Sequence, residues 1–375
     1  MKILHLISGG DTGGAKTHVL SLVKELSKYL QVKLVCFIED EFYREGKQLG
    51  IDIEVIKQDK RYDLSIIKQL KNKIYEENYD IVHCHGARAN FVGVLLKRLI
   101  NKPFITTIHS DYRLDFKDSF YKRIVYTSIN SMSLRFFDYY IAISSNFKNM
   151  LINRGFKEKK IFTVYNGIDL KNELMITSKE EFLGNYNIGY KNKKIVGIMG
   201  RLDLVKNHEV FLQAAYSILK NRDDVIFLIA GDGYERERLI KMSRDLGIEN
   251  KVHFLGFVKE PYSFFNAIDI NVLTSKSESF PYVILEGARL KKPVISTNVG
   301  GIGDLVEHGV NGYLFNIGSA KELTKYLNLM VENITEARQM GEKLYKKVEE
   351  EFSLENMASN HYDIYKNIKK QEVIK

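Results

Sequence analysis

The stretch KILHLISGGDTGGAKTHVLSLVKEL, residues 2–26, decides the fold. It begins with an apolar run, Ile3 to Ile7, of the length of one buried strand, and from residue 15 to 30 its apolar letters recur at helical spacing. Between the two stand Gly9, Gly10, Gly13 and Gly14. A strand that turns through glycines into a helix opens a doubly wound α/β sheet, so parallel strands covered by helices are expected.

The turn itself is close to a phosphate loop. Gly10, four residues, Ala15, Lys16 and Thr17 follow the P-loop pattern except that alanine stands where the motif has glycine before its lysine. That glycine lets backbone N–H groups wrap the phosphates, a geometry that a Cβ hinders. No register of the four glycines supplies the dinucleotide fingerprint G-x-G-x-x-G. What remains is a glycine-rich helix start, where free N–H groups and the helix dipole favour an anion. A strand-to-helix turn without a ligand fits the same letters, and this segment alone does not choose.

The strand-then-helix alternation continues outward. Strand-like runs are expected at 2–8, 32–38, 81–85, 104–109, 139–144 and 161–165, and again at 195–200, 225–230, 252–255, 268–273, 293–297 and 313–315. A softer, polar stretch over 169–194 separates the two series. The expected organisation is a first domain at 1–170, a linker at 171–194 and a second domain at 195–352. With 375 residues, 45% of them hydrophobic, the chain has material for two cores. Residues 1–175 hold 28 Lys+Arg against 20 Asp+Glu, a net of +8, and residues 176–375 hold 28 against 27, a net of +1. The basic half suits an anionic membrane surface, a phosphorylated lipid or nucleic acid, and equally a solvated face with no partner.

Cys36 and Cys84 lie in strand-like runs without pair spacing, which fits a reducing compartment. The N-terminal apolar run is too short for a signal peptide and no run approaches the roughly 20 residues of a membrane span, so a cytoplasmic location is expected.

The second half holds the chemical letters. GRLDLVKN (200–207) sets Arg201 and Lys206 just beyond a strand, where open α/β sheets bind ligands and two cations can clamp a diphosphate. ESFPYVILE (278–286) places Glu278 in a loop and Glu286 inside a helix whose first residue is expected to be Pro281. Carboxylates beside phosphates make sense when they grip hydroxyls, as on a sugar and a ribose. Each pair taken alone also reads as solvated side chains.

Taken together, Arg201, Lys206, the Glu278/Glu286 pair and PVISTNVGGIGDLVEHGVNGYLF (293–315) resemble the donor-binding half of the retaining glycosyltransferases of family four, which have the GT-B architecture. The resemblance also takes in GGAKTHVLSLVKEL, YDIVHCHG, TTIHS, TVYNGID, IAGDG and FSLENMASNHYDIYKNI, the last resembling the helix, about 353–375, that crosses back to complete the first domain. It implies two Rossmann-like domains facing a cleft, with Gly13 and Gly14 letting the backbone approach the donor diphosphate. Arg201 and Lys206 then bind the pyrophosphate and stabilise the leaving group, Glu278 holds hydroxyls of the transferred sugar, and Glu286 holds the ribose. His109 stands at the family's cleft histidine and would orient the donor sugar. Backbone around Ser279, Phe280 and Pro281 would touch the phosphates, and Gly300 and Gly301 would leave room. On the acceptor side the resemblance points to Lys16, His85 and Asn166.

The resemblance implies a nucleotide-diphosphate sugar, with uridine as the base from the family's habit. It also implies transfer with retention to a glycan or lipid-linked acceptor in cell-envelope polysaccharide assembly. No D-x-D sequence is present, so no metal and no further cofactor is expected, and preorganised cations take the metal's place. This sequence departs from the family pattern at Ser279, where glycine is usual, at Gly287, where alanine is usual, and at Gly303-Asp304 in place of Pro-Glu. None of these removes an assigned charged group.

His83-Cys84-His85 sets three metal-capable side chains in a row. On a strand His83 and His85 share one face and Cys84 takes the other, so the run lacks the ligands zinc needs; His85 lines the cleft or simply ends its strand. In 112–140, Arg113, Lys117, Lys122, Arg123 and Arg135 mix with Phe116, Phe120, Tyr121, Phe136 and Phe137. The mixture suits peripheral contact with the inner face of an anionic membrane, or a helix with aromatics in its core. Two other function classes are weighed. A nucleotide-sugar 2-epimerase is opposed by the Arg201/Lys206 and Glu278/Glu286 combination. A nucleic-acid binder is opposed by the lack of a reading helix or stacking sheet.

Overall fold

The structure is a computed structural model and describes residues 1–10, 13–58, 63–113 and 130–374. The chain forms two compact units, Met1–Gly167 with Leu354–Lys375, and Ile168–Ser353.

The first unit is built on strands β1 (Lys2–Ile7), β2 (Gln31–Cys36), β3 (Ile53–Val55), β4 (Ile81–His85), β5 (Phe104–Ile108), β6 (Tyr139–Ala142) and β7 (Ile161–Thr163), in the order β3-β2-β1-β4-β5-β6-β7. The second is built on β8 (Lys194–Met199), β9 (Val225–Ala230), β10 (Val252–Gly256), β11 (Ile270–Leu273), β12 (Val294–Thr297) and β13 (Tyr313–Phe315), in the order β10-β9-β8-β11-β12-β13. All of these pairings are parallel. Each order reverses beside the unit's first strand, the place where open α/β sheets bind ligands beyond the strands' carboxyl ends.

Parallel strands are covered by helices on both faces, so their letters run apolar without alternation; VIFLIA of β9 is buried throughout. Strand β3 was not foreseen, because Asp52 and Glu54 break its apolar pattern. Glu54 is an ion partner of Lys73 at 2.7 Å and Lys33 at 3.6 Å.

Helix Gly14–Leu26 ends four residues before the expected residue 30, with Ser27 at its C-cap. Its Val19, Leu22 and Val23 share an apolar cluster with Met357, Ala358, Tyr365 and Ile368 of helix Leu354–Ile374, so the C-terminal helix completes the first unit's core.

The stretch 171–194, expected as a linker, belongs to the second unit. Ser178 caps helix Lys179–Gly184 by accepting from the Glu181 N–H, and Phe182, Leu183 and Ile188 are buried with Ile226, Leu228 and Phe264. Those three apolar residues serve the core while Met175 is exposed, a division that a composition average conceals. No helix among the described residues is long and apolar enough to cross a membrane.

Candidate active site

In the second unit the turn after β8 is closed by Asp203, whose Oδ1 accepts the N–H groups of Val205 at 3.0 Å and Lys206 at 2.9 Å. The turn aims Lys206 at Glu278, Nζ to Oε1 2.5 Å, and Ser275 Oγ donates to the same oxygen at 2.5 Å. Two bonds tie the turn to the loop after β11: Thr274 Oγ1 donates to the Lys206 carbonyl and the Lys276 N–H to the Val205 carbonyl, each at 2.7 Å. The Lys206 and Glu278 side chains are 18% and 10% exposed. Arg201 differs: it is 80% exposed and meets Asp203 at 3.4 Å. The pair is therefore fixed and the arginine reaches into solvent. A ligand carrying both phosphates and hydroxyls can divide the pair, phosphate oxygen to the ammonium and hydroxyl to the carboxylate.

Glycines let the surrounding loops meet. Gly300 has φ +59°, and a Cβ there would stand 1.8 Å from the Glu278 carbonyl oxygen; the Gly301 N–H donates to the Ser279 carbonyl at 2.7 Å. Ser279 to Pro281 thus run directly beside Gly300 and Gly301. Phe280 is buried with its ring 5.2 Å from that of Phe352. Pro281 is the N-cap of helix Tyr282–Arg289 rather than its first residue, and the cap provides no side-chain acceptor for the opening N–H groups. Glu286 lies within this helix, and desolvation pushes its carboxyl up to about 7. Gly287 departs from the usual alanine for a local reason: a Cβ would meet Asn271 Nδ2 at 2.8 Å.

In the first unit Gly9, Gly10 and Gly13 all take positive φ, and Gly13 caps helix Gly14–Leu26 with no side-chain cap and no acidic residue in the first turn. Gly14 is the first helical residue. Asp11 and Thr12 lie outside the described residues. Lys16, the lysine of the near P-loop, is held by Glu45 at 2.6 Å and Glu41 at 3.8 Å on helix Glu41–Gln48. The structure does not group it with the histidines below.

Six of the nine histidines gather inside this unit: His5, His18, His83, His85, His109 and His361. His5 and His83 face each other across neighbouring parallel strands in register. His85 joins His5 Nδ1 through Nε2 at 2.9 Å and His109 Nε2 through Nδ1 at 3.1 Å. His83 reaches Tyr365 Oη at 2.6 Å and Thr107 Oγ1 at 2.8 Å, and Tyr365 Oη lies 3.4 Å from His5 Nε2. His18 Nδ1 meets Asn166 Oδ1 at 2.8 Å. Desolvation lowers all six, His5 and His361 to about 3 and His18 to about 4, with neighbouring rings adding to the effect on all but His18.

His85 and Asn166 are buried, at 1% and 3% exposure, His85 against His109 and Asn166 against His18. His109 itself is half-buried. Sequence reading missed His5, His18, His361, Tyr365, Asp203 and Ser275. One signal was available: a histidine at the centre of the apolar run KILHLI, in a strand buried on both faces, requires a polar neighbour.

Of the basic and aromatic region, Phe116, Lys117, Phe120, Tyr121, Lys122 and Arg123 lie outside the described residues. Arg135 donates to the carbonyls of Arg154 and Gly155 and sits 4.3 Å over the Phe156 ring, while Phe137 is buried. Both serve the unit's own packing.

Two doubly wound parallel sheets of matching strand order, one ending in a lysine–glutamate pair among glycine turns, place the chain in the GT-B class. The model of Glycosyltransferase Family 4 matches residues 12–172 and that of Glycosyl transferases group 1 matches residues 184–347, and the chain belongs to this family of glycosyltransferases. It is 25% identical to the O-antigen biosynthesis glycosyltransferase WclY of Escherichia coli, over 98% of this chain and 99% of that one. It is 27% identical to the UDP-Gal:alpha-D-GlcNAc-diphosphoundecaprenol alpha-1,3-galactosyltransferase of Escherichia coli, over 72% and 71% of the two chains. Among solved structures it is similar to HepE of Anabaena in complex with UDP and glucose, with a TM-score of 0.82 and 25% identity over 98% of this chain and 100% of that one.

Proposed function

We propose that this glycosyltransferase takes its sugar from a UDP-sugar, transfers it with retention, and needs no metal at the diphosphate. The observation that carries this reading is the Lys206–Glu278 pair, held at 2.5 Å by a stitched loop, with Arg201 exposed on the same turn against Asp203. Departure of a nucleoside diphosphate places charge on phosphate oxygens, and cations already fixed there lower the barrier without reorganising. Arg201 and Lys206 fill that role. Freed from Lys206, Glu278 accepts from hydroxyls of the transferred sugar, and Glu286, once ionised, accepts from the ribose. The uncapped start of helix Tyr282–Arg289 offers N–H groups to the phosphates, with Gly300 and Gly301 keeping space. The acceptor hydroxyl attacks from the face the diphosphate leaves, a phosphate oxygen taking its proton.

UDP is favoured because HepE was solved with UDP and glucose. The basic first half and the diphosphoundecaprenol-linked acceptor in the galactosyltransferase's name favour a lipid-linked envelope glycan, with peripheral contact at the inner membrane face. A thermal-shift panel of UDP, GDP, ADP and their sugar conjugates, with and without EDTA, tests the donor, since a ligand bound only by the folded state raises its apparent stability. The expected result is a shift with the uridine series that EDTA leaves unchanged. A shift only with guanosine or adenosine ligands, or one abolished by EDTA, overturns it. Retention is read from the anomeric coupling of the product by NMR.

A further inference from the structure

The nitrogens of the histidine cluster are unequally committed. His83 uses both, with Tyr365 and Thr107, and His5 uses both, with His85 and Tyr365. His18 does not. Its Nδ1 donates to the amide oxygen of Asn166, which leaves Nε2 an unprotonated lone pair, and that Nε2 is buried with no hydrogen-bond partner among the described residues. One ring nitrogen from each of His18, His85 and His109 lies within 4.8 Å of the others.

We propose that His18, His85 and His109 form a site for one divalent transition-metal ion of the zinc or cobalt type, with His18 Nε2 as its most deeply committed ligand. Three nitrogens around a zinc ion stand about 3.3 Å apart, given Zn–N bonds of about 2.0–2.1 Å, so small ring rotations close the observed spacing. An all-imidazole set selects zinc, cobalt, nickel or copper over magnesium and calcium, which want oxygen. The outer contacts are those a metal-bound histidine needs. Asn166 fixes the His18 tautomer. With His85 Nδ1 on the metal, its Nε2–H donates to His5 Nδ1, His5 Nε2–H to Tyr365 Oη, the Tyr365 hydroxyl to His83 Nδ1, and His83 Nε2–H to Thr107 Oγ1. One tautomer set satisfies every group in the chain, and the ion occupies the bare lone pair of His18; His361 Nε2, also buried and without a partner among the described residues, is not among the three grouped nitrogens. His109 is the least buried of the three ligands, and on its side a water or hydroxide takes the fourth position. Ligation through Nε2 leaves the His109 Nδ1–H as a donor.

The test uses the full chain without a polyhistidine tag, stripped with a chelator and titrated with Co2+. The expected result is one equivalent bound, with the visible absorption of tetrahedral cobalt, bleached by Zn2+. The absorption should be absent in His18→Gln and His109→Gln and unchanged in His253→Gln of the second unit. Asn166→Ala, which removes the orienting amide and leaves all three ligands in place, should bind cobalt about 10–100-fold more weakly, and it keeps the test open if His18→Gln fails to fold. Circular dichroism of the same samples reads their folding separately. A wild-type chain that takes up no Co2+, or equal uptake by His18→Gln and His109→Gln, overturns the site.

Discussion

The two units share a strand order and differ in what they place beyond their strands. In the first, imidazoles from β1, β4 and the C-terminal helix meet in a desolvated, uncharged network around Tyr365. In the second, a turn and a helix-start loop bring together a lysine, a glutamate and an exposed arginine. The same scaffold thus supports a neutral, buried polar cluster and a charged site at its surface. What distinguishes them is which element supplies the side chains: strands place them inside, loops leave them within reach of a ligand.

The largest effect is expected where charge meets ligand. Arg201→Ala and Lys206→Ala should each lower kcat about 10²–10³-fold, the usual cost of removing one preorganised group from a developing anion, with the fold intact by circular dichroism. Wild-type turnover in either variant would remove the charged character claimed for the second unit.

Acid should separate the units. Burial holds His5 and His361 near 3 and His18 near 4, against 6.5 in the unfolded chain, so the stability they give is present above pH 6.5 and is lost as pH falls toward those values. Glu286 has the opposite sign: its carboxyl is raised from 4.5 to about 7, so its cost is present above pH 7 and fades as pH falls toward 4.5. Hydrogen exchange at pH 7 and pH 5 should show the first unit losing protection, on the order of a few kcal/mol, and the second losing less. Equal losses would break the contrast.

Glu286→Gln should weaken donor binding about tenfold, the scale of one hydrogen bond to a charged group, and should flatten the rise in donor affinity between pH 6 and 8 that ionisation of Glu286 produces in the parent. Isothermal titration across that range checks it; a variant that keeps the slope assigns the titration to another group. The smallest effect is expected at Lys16→Ala. If its ammonium serves only Glu45 and Glu41, stability falls by about 0.2–1 kcal/mol and turnover is unchanged. A large loss of turnover would return Lys16 to the acceptor side.

The fold was legible because fully apolar strands such as VIFLIA and glycine turns such as SGG carry their structural role locally. Arg201, Lys206 and Glu278 were singled out by the family resemblance, and the turn that aims Lys206 at Glu278 was not legible in the letters. The histidine network was not, since His5, His83 and His361 come from distant parts of the chain and are joined only by strand register and a returning helix. The ion pairing of Lys16 was not legible either, because its partner Glu45 lies on a separate helix 29 residues further along the chain. The stretch 171–194 misled because a short capped helix buries just two side chains, too few to raise its average hydropathy.

The returning helix Leu354–Ile374 also has a consequence for synthesis. The second unit is one uninterrupted segment, Ile168–Ser353, whereas the first lacks Met357, Tyr365 and Ile368 until the residues after the second unit are made. Domains generally fold as units while the ribosome is still elongating. In this protein the part translated first is the part completed last, because Tyr365, the partner of His83, is made only after the whole second unit.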